Sequence, residues 1–408
     1  MANRVVSFEN TENAFAYKSD AELKKARFLF KSMGYGFLVK LGTRITPLAM
    51  QLKLPIKGLI RNTIFSQFVG GETLDETATV ANKLARYNVQ IILDYGVEGG
   101  HDGEQGFDDA CDEFIRVINY ASTQSNIPFI SIKVTGFARF ELLVELDRSL
   151  DLTSGSLMKR YASALATFSS DELAEWERVR SRMQKICESA AVKNIGVLVD
   201  AEETWIQDPV DVLSIQMMAI YNKNRVIVYN TVQLYRHDRL EFLKDMLEAA
   251  ILKEFVLGVK LVRGAYMEKE RARAEEKNYT SPIQRDKTST DNDYNEGVAY
   301  CLDHIKHIAT IIASHNEYSN LHATELLSEH GISFADPHVH FSQLYGMSDH
   351  ITFNLAKAGC SVSKYLPFGP IEDVIPYLMR RAEENSSLSG QTGRELALIR
   401  KEVERRHV

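Results

Sequence analysis

Seven short, almost continuously apolar runs recur between stretches of helical periodicity, and this alternation limits the fold more than any other feature of the sequence. The runs are VQIILDY (89–95), FISIKV (129–134), IGVLVDAE (195–202), RVIVYNT (225–231), FVLGVKLV (255–262), IATIIASH (308–315) and ISFADPHVHF (332–341). Apolar, β-branched side chains at consecutive positions suit parallel strands buried on both faces. A first strand near Phe65–Val69 brings the expected number to eight. Helical patterns such as DETATVANKLARYN and HDRLEFLKDMLEAAILKE lie between the runs. The alternation predicts an α/β fold with a parallel sheet, and the number of repeats predicts a closed (βα)8 barrel of TIM type. No G-x-G-x-x-G follows the early strands, so a Rossmann-type dinucleotide fold lacks its fingerprint.

At 408 residues the chain has room for one such barrel and extra helices. Residues 12–60 have helical spacing broken by Pro47 and Pro55, which gives an N-terminal helical arm over 1–64 and the barrel over 65–408. Residues 150–193 form a long charged helical stretch. Residues 266–296 are polar and long for a simple strand-to-helix connection, which points to a ligand there. The formal net charge of −7 gives no electrostatic reason to bind nucleic acid. The four cysteines, Cys111, Cys187, Cys301 and Cys360, form no C-x-x-C pair and suit a reducing compartment. The first twenty residues have neither a secretory pattern nor the acid-poor composition of a transit peptide. No apolar run reaches bilayer-spanning length. The expectation is therefore a cytoplasmic protein, with peripheral contact at the inner face of a membrane left open.

In a (βα)8 barrel the active site lies at the C-terminal ends of the strands. Polar residues cluster where those ends are expected: Asp94, Lys133 with Thr135 and Gly136, Asp200 with Glu202 and Glu203, Asn230 with Gln233, Lys260 with Arg263 and Gly264, Ser314 with His315, and His338, His340 and Gln343. Any one of these could be a solvated loop residue. Together they give an end of the barrel rich in lysine and arginine, suited to an anionic ligand or cofactor. Beyond them, KYLPFGPIEDVIPYLMRRAEENSS reads as a loop and then a helix, with Pro376 expected in the first turn. Arg380 and Glu384 are four apart and can pair on one face, and two adjacent guanidinium forks suit a carboxylate. A surface charge cluster is the plainer reading of adjacent arginines.

The segments SIKVTG (131–136), VDAEE (199–203), TVQLY (231–235), VKLVRGAY (259–266), ASHN (313–316), YGM (345–347) and YLPFGPIEDVIPYLMRRAEEN (365–385) together resemble the proline dehydrogenase family. They occur in the family's order. The resemblance implies a distorted (βα)8 barrel with a C-terminal helix over the active site. It also implies FAD-dependent oxidation of L-proline to Δ1-pyrroline-5-carboxylate, the first step of proline catabolism, with the reduced flavin reoxidised by a quinone or other electron acceptor. By the same resemblance Arg380, Arg381 and Lys133 grip the proline carboxylate and Tyr365 packs on its ring. Asp200 is an active-site carboxylate, and Lys260 stands beside the reactive edge of the flavin. Ala201, Gln233, Arg263, Gly264, Ala265, Ser314 and His315 contact FAD. Glu384 anchors the closing helix, and part of 281–294 supports the adenosine end. Some family members carry Arg where this chain has Lys260 and Lys where it has Arg263, and a fork and a point charge are not equivalent. Met267 replaces an aromatic residue of some members.

Three other readings compete. His338-x-His340, with His315 and Asp200, is the kind of set a barrel hydrolase uses for zinc, although such enzymes usually carry H-x-H on the first strand. Within the family, hydroxyproline is an alternative substrate, because an apolar pocket discriminates weakly against one added hydroxyl. A non-catalytic barrel is the third, and it leaves Lys133, Asp200, Lys260, Arg380 and Arg381 without a purpose.

Overall fold

Strands β1 (Gln90–Tyr95), β2 (Phe129–Ile132), β3 (Gly196–Val199), β4 (Val228–Gln233), β5 (Leu257–Val262), β6 (Ile308–Ala313), β7 (Val339–Leu344) and β8 (Val362–Phe368) follow one another in sequence order as a closed parallel barrel. The structure is a computed structural model, and it describes residues 6–37, 39, 56–96, 103–387 and 389–408. The helices are α1 (Thr11–Phe15), α2 (Asp20–Met33), α3 (Leu74–Ala85), α4 (Gly103–Ala121), α5 (Phe140–Asp151), α6 (Leu157–Leu165), α7 (Ser170–Lys193) and α8 (Thr204–Tyr221). They continue as α9 (Arg239–Leu252), α10 (Met267–Lys277), α11 (Lys287–Asp303), α12 (Glu317–Glu329), α13 (Asp349–Ala358), α14 (Ile371–Ser387) and α15 (Ser389–Arg406). Much of the expected arm falls on residues 38 and 40–55, outside the described residues.

Two strand expectations are corrected. Residues 65–69 are helical: Lys57–Ile60, Arg61–Phe65 and Ser66–Phe68 form one short helical run, and its buried Phe65 and Phe68 lie three apart on one face. A short apolar run cannot distinguish strand from buried helix by periodicity alone. The strand that closes the barrel is β8, within the segment expected to be a loop. Lys364 and Pro367 interrupt its apolar pattern. Pro367 stands one residue from the strand end, where the missing N–H disturbs the ladder least, and its carbonyl accepts the Gly70 N–H at 2.8 Å. Pro376 also lies deeper than expected, in the second turn of α14.

The chain packs as two compact units. The first combines Met1–Val97 with Phe341–Val408. In it Phe15, Leu23 and Phe30 of the N-terminal helices pack with Leu398, Ile399 and Val403 of α15. Its unusual feature is a buried charge cluster. Lys364 is wholly buried on β8, 3.0 Å from Oδ1 of Asp349 at the start of α13. The Tyr17 hydroxyl donates to Asp349 Oδ2 at 2.7 Å, and Lys18 Nζ stands 3.6 Å from the same oxygen. Burial pushes the Asp349 carboxyl up, but Lys364 and Lys18 outweigh it and hold it below the usual carboxylate range.

The second unit, Glu98–His340, holds β2 to β6 and helices α4 to α12. Trp176 is buried there, its indole N–H donating to the Tyr161 hydroxyl at 2.8 Å. Along β7, His340 is buried with its ring edge-on to Phe129, and burial pushes its pKa down to about 3. His338 Nδ1 lies 2.7 Å from the Ile305 carbonyl. The H-x-H pair therefore has a ring face and a backbone group as neighbours, and no cluster of three metal-ligating side chains exists among the described residues.

Removing one member of a buried ion pair leaves the other uncompensated. Lys364→Met is expected to cost about 3–5 kcal/mol in equilibrium urea unfolding. A loss under about 1 kcal/mol, the range of an exposed pair, would show that the cluster does not hold β8.

Candidate active site

The register of β2 against β3 places the first charged group. Phe129 pairs with Gly196 and Ile132 with Val199, and the Asp200 N–H carries the ladder one step further by donating to the Ile132 carbonyl at 2.9 Å. The same offset of 67 residues continues past the strand ends, where it joins Lys133 to Asp200 and Thr135 to Glu202. Lys133 Nζ lies 3.4 Å from Asp200 Oδ2. Lys260, projecting from β5, pairs with Asp200 Oδ1. One carboxylate thus lies between two ammonium groups, all three on adjacent or near-adjacent strand ends of one unit. Lys260 is 6% exposed, so its charge is largely withdrawn from water.

Behind this triad the β3–α8 loop is pinned from three sides. The Glu202 N–H donates to Gln207 Oε1 at 2.9 Å, and the Glu202 carbonyl accepts from Gln233 Nε2 at 2.7 Å. Gln233 Nε2 also donates to the Tyr235 hydroxyl at 2.8 Å, so both of its amide hydrogens are engaged. Gln207 in turn donates to Asp211, which also accepts from Asn230 on β4 at 2.8 Å and from Arg239 on α9 at 2.6 Å. Asp211 is fully buried. Burial pushes its carboxyl up, against the pull of Arg239. Burial also works against the charge of Arg239, but Asp211, Asp238 and Asp208 outweigh it and raise the guanidinium. Glu270 on α10 accepts both the N–H and the hydroxyl of Thr204, each at 2.8 Å, which caps the first turn of α8. Lys269 pairs with Glu203 beside it.

After β5 the chain presents Arg263 and the exposed backbone of Gly264 and Ala265. The Arg263 guanidinium lies 4.2 Å from the ring centre of Tyr294 and reaches Asp291 and Ser319 with its two terminal nitrogens. Its Nε is buried without a hydrogen-bond acceptor among the described residues, and burial lowers its pKa. A Cβ at Gly264 would meet the Met267 sulfur at 2.2 Å, so the turn is close-packed on that side. Ser314, at the end of β6, accepts the Asn316 N–H at 3.1 Å, and His315 follows half-buried. A cleft of about 510 Å³ is lined by His237 and by Gln284, Ser289, Asn292 and Asp293, the last four within the stretch 281–294 expected to support an adenosine.

The other unit carries the remaining expected residues. Tyr365, half-buried on β8, stands beside Ile92 of β1 and Leu344 of β7. On α14 Arg381 is buried over the Tyr377 ring and pairs with Glu384 three residues on. Both guanidiniums act on that carboxyl, Arg381 more strongly than Arg380, against the burial that raises it. Among the residues the sequence reading missed, Asp211 and Arg239 are the most consequential. Asp211 lies between Val210 and Val212 on a helix buried along most of its length, where an acid requires a buried partner.

A family model described as proline dehydrogenase matches residues 77–394. The protein named "Proline dehydrogenase 1, mitochondrial" of Dictyostelium discoideum is 31% identical, over 97% of this chain and 74% of its own length. "Hydroxyproline dehydrogenase" of Xenopus laevis is 31% identical, over 96% of this chain and 88% of its own. Among solved structures, proline utilization A from Bdellovibrio bacteriovorus, inactivated by N-propargylglycine, superposes with a TM-score of 0.69 at 20% identity, and this chain spans 38% of that one. The fold is shared at that level. The expected cytoplasmic placement is overturned: several similar relatives are named as mitochondrial. No described helix is long and apolar enough to cross a membrane. Barrel packing carries no address, because targeting signals are read by receptors.

Asp211→Asn should remove the strongest of the three carboxylates around Arg239, leaving Asp208 and Asp238, at a cost of about 1–3 kcal/mol in urea unfolding. The double variant Asp211→Leu/Arg239→Leu should recover most of that loss. Equal losses in the single and double variants would mean that the two side chains do not act as a pair.

Proposed function

The chain belongs to the proline dehydrogenase family, and from that premise we propose that it oxidises L-proline to Δ1-pyrroline-5-carboxylate with FAD as the hydride acceptor and a quinone or other electron acceptor downstream. The observation that carries this reading is the Lys133–Asp200–Lys260 triad at the ends of β2, β3 and β5. Two ammonium groups gathered at one strand-end carboxylate suit the carboxylate of an amino acid and a cofactor that gains electrons.

The residues present fit FAD. Arg263 Nε is buried without an acceptor among the described residues, and the exposed Gly264–Ala265 backbone lies next to it, as phosphate recognition favours. The cleft along 280–293 offers room and polar groups for the adenosine. Arg263, Gly264 and Ala265 would hold the phosphates and ribityl chain, with Ala201, Gln233, Ser314 and His315 on the remainder. Gln233 would give up one of its present bonds to do so. FAD supplies the hydride acceptor when bound.

The other steps fall to this chain's side chains. Arg380 and Arg381 are proposed to take the proline carboxylate, with bidentate geometry available to each fork. Lys133 is proposed as a further cationic contact, and Tyr365 as the surface for the ring. A carboxylate held at fixed points orders the reacting carbon and removes part of the entropic barrier. The lysines disfavour a cationic amine, and a neutral amine releases hydride more readily. Asp200 is proposed to keep Lys133 and Lys260 in place, and Glu384 to orient Arg381, with which it pairs within α14. The arm over 1–64 is proposed to precede the catalytic barrel.

Under anaerobic conditions L-proline should bleach the flavin absorbance of the FAD-loaded protein, whereas glycine should not. A flavin that is reduced by hydroxyproline and left oxidised by proline would move the substrate to hydroxyproline, as the name of the Xenopus relative suggests. Arg381→Met should raise KM for proline by about 30-fold or more, the equivalent of losing about 2 kcal/mol or more from a buried charged contact. A change within about threefold, under 1 kcal/mol, would remove Arg381 from carboxylate recognition.

A further inference from the structure

We propose that Glu202, acting through the Thr135 hydroxyl, takes up the proton released when the substrate amine becomes neutral; the proposal rests on the proline-oxidation reading above. The offset of 67 residues that joins Lys133 to Asp200 also joins Thr135, in the 3-10 turn Val134–Gly136 that follows β2, to Glu202. Thr135 Oγ1 lies 2.9 Å from both Oε1 and Oε2 of Glu202. Thr135 is half-buried whereas Glu202 is 7% exposed, so the hydroxyl is the shallower member. The Glu202 backbone is fixed at both of its polar atoms, by Gln207 and by Gln233, so the carboxyl is held behind the hydroxyl.

Asp200 and Glu202, two of the three carboxyl groups of this loop, have different surroundings, and such a difference separates acid–base roles. Asp200 carries a lysine on each oxygen. Glu202 is buried beside a neutral hydroxyl. Burial pushes the Glu202 carboxyl up to about 7, partly opposed by Lys133 and Thr135 and reinforced by Glu203. The charged groups around it are Lys133 after β2, Asp200 and Glu203 on its own loop, Lys260 on β5, and Lys269 on α10, which is paired to Glu203. Gln207 from α8 and Gln233 from β4 are neutral. A group that titrates near neutrality can hold a proton in one half of the cycle and lose it in the other.

The step balances without an added reagent. Proline arrives as an ammonium ion. Its N–H bond breaks as the proton passes to Thr135 Oγ, and the hydroxyl's own proton passes to a Glu202 carboxylate oxygen. The amine becomes neutral, the threonine is regenerated, the glutamate becomes a carboxylic acid, and no electrons move. The acid later returns its proton to water through the same hydroxyl. A glutamine in place of Glu202 could keep the hydrogen bond but could not accept the proton.

The test uses the FAD-loaded enzyme as wild type, Glu202→Gln, Thr135→Val and Thr135→Ser. Infrared difference spectra across pH, without substrate, should show a carboxylic-acid carbonyl band that titrates near neutrality and is absent from Glu202→Gln. Single-turnover flavin reduction by saturating proline should follow the same titration in the wild type. The rate above neutrality, where Glu202 is a carboxylate, should fall about 10²-fold in Glu202→Gln and Thr135→Val, the lower end of general acid–base contributions, and the difference should shrink below neutrality. Thr135→Ser should restore both the rate and the pH profile. An unchanged pH profile in Glu202→Gln, or a Thr135→Val enzyme that behaves as wild type, overturns the proposal and leaves Glu202 a structural acid. If Glu202→Gln does not fold, Thr135→Val and the wild-type infrared titration still decide it: no titrating band overturns it. A wild-type enzyme that proline does not reduce at all counts instead against the proline reading.

Discussion

Everything at the candidate site follows from one electrostatic obligation, the need of Asp200 for cations. A carboxylate 14% exposed at a strand end has lost most of its water, and the protein replaces that water with the ammonium groups of Lys133 and Lys260. Neither lysine could be held there by its own flexible stem. Lys133 is delivered by the β2–β3 register, and Lys260 is carried on a strand that pairs with β4 through Thr231. The arrangement is therefore a product of the sheet, and the sheet is a product of the β-branched runs that specify it. Each lysine is placed by the backbone it stands on, Lys260 within β5 and Lys133 directly after β2.

The second layer explains why the loop bearing Asp200 stays in place. Backbone polar groups leaving a strand must find partners. Here the partners of Glu202 are amide side chains, Gln207 and Gln233, which are themselves fixed by Asp211 and Tyr235. The chain of bonds ends at Arg239, buried on α9, so the loop after β3 is braced against a helix that begins beyond β4. Preorganisation of this kind removes reorganisation from the reacting state, where electrostatic stabilisation is most valuable. Its cost is a buried ion pair that contributes little net stability and cannot lose one partner.

How much of this was legible in the sequence depends on the range of the interaction. Lys133, Asp200 and Lys260 were legible because strand ends concentrate ligands and each lay at the end of an apolar run. Their mutual pairing was not legible, because register is set by contacts across strands. The β8 strand was hidden by Lys364 and Pro367, two residues that argue against a buried strand until Asp349 and the strand end are seen. The helical run before Val69 was misread for the opposite reason: its apolar residues satisfied both periods. Arg380 can pair with Glu384 by i,i+4 spacing, and the structure adds Arg381, three residues before Glu384, as a second guanidinium acting on the same carboxyl. Asp211 and Arg239 are 28 residues apart, and nothing local connects them.

The charge cluster around Lys364 follows the same logic in the other unit. Successive residues of a strand point to opposite faces, so a strand that turns Lys364 toward α13 turns Tyr365 the other way. Holding Lys364 against Asp349, with its ammonium also donating to the carbonyls of Leu344 and Met347, fixes the rotation of β8 at that residue. An apolar side chain at the same place would fill the volume and could rotate or slip, whereas an ammonium with three oriented donors and a carboxylate waiting for it has one satisfactory position. The aromatic ring next along the chain inherits that precision. A buried charge is thus placed one residue from the side chain proposed to pack on the substrate ring, and its value lies in specifying a geometry more than in stabilising the fold.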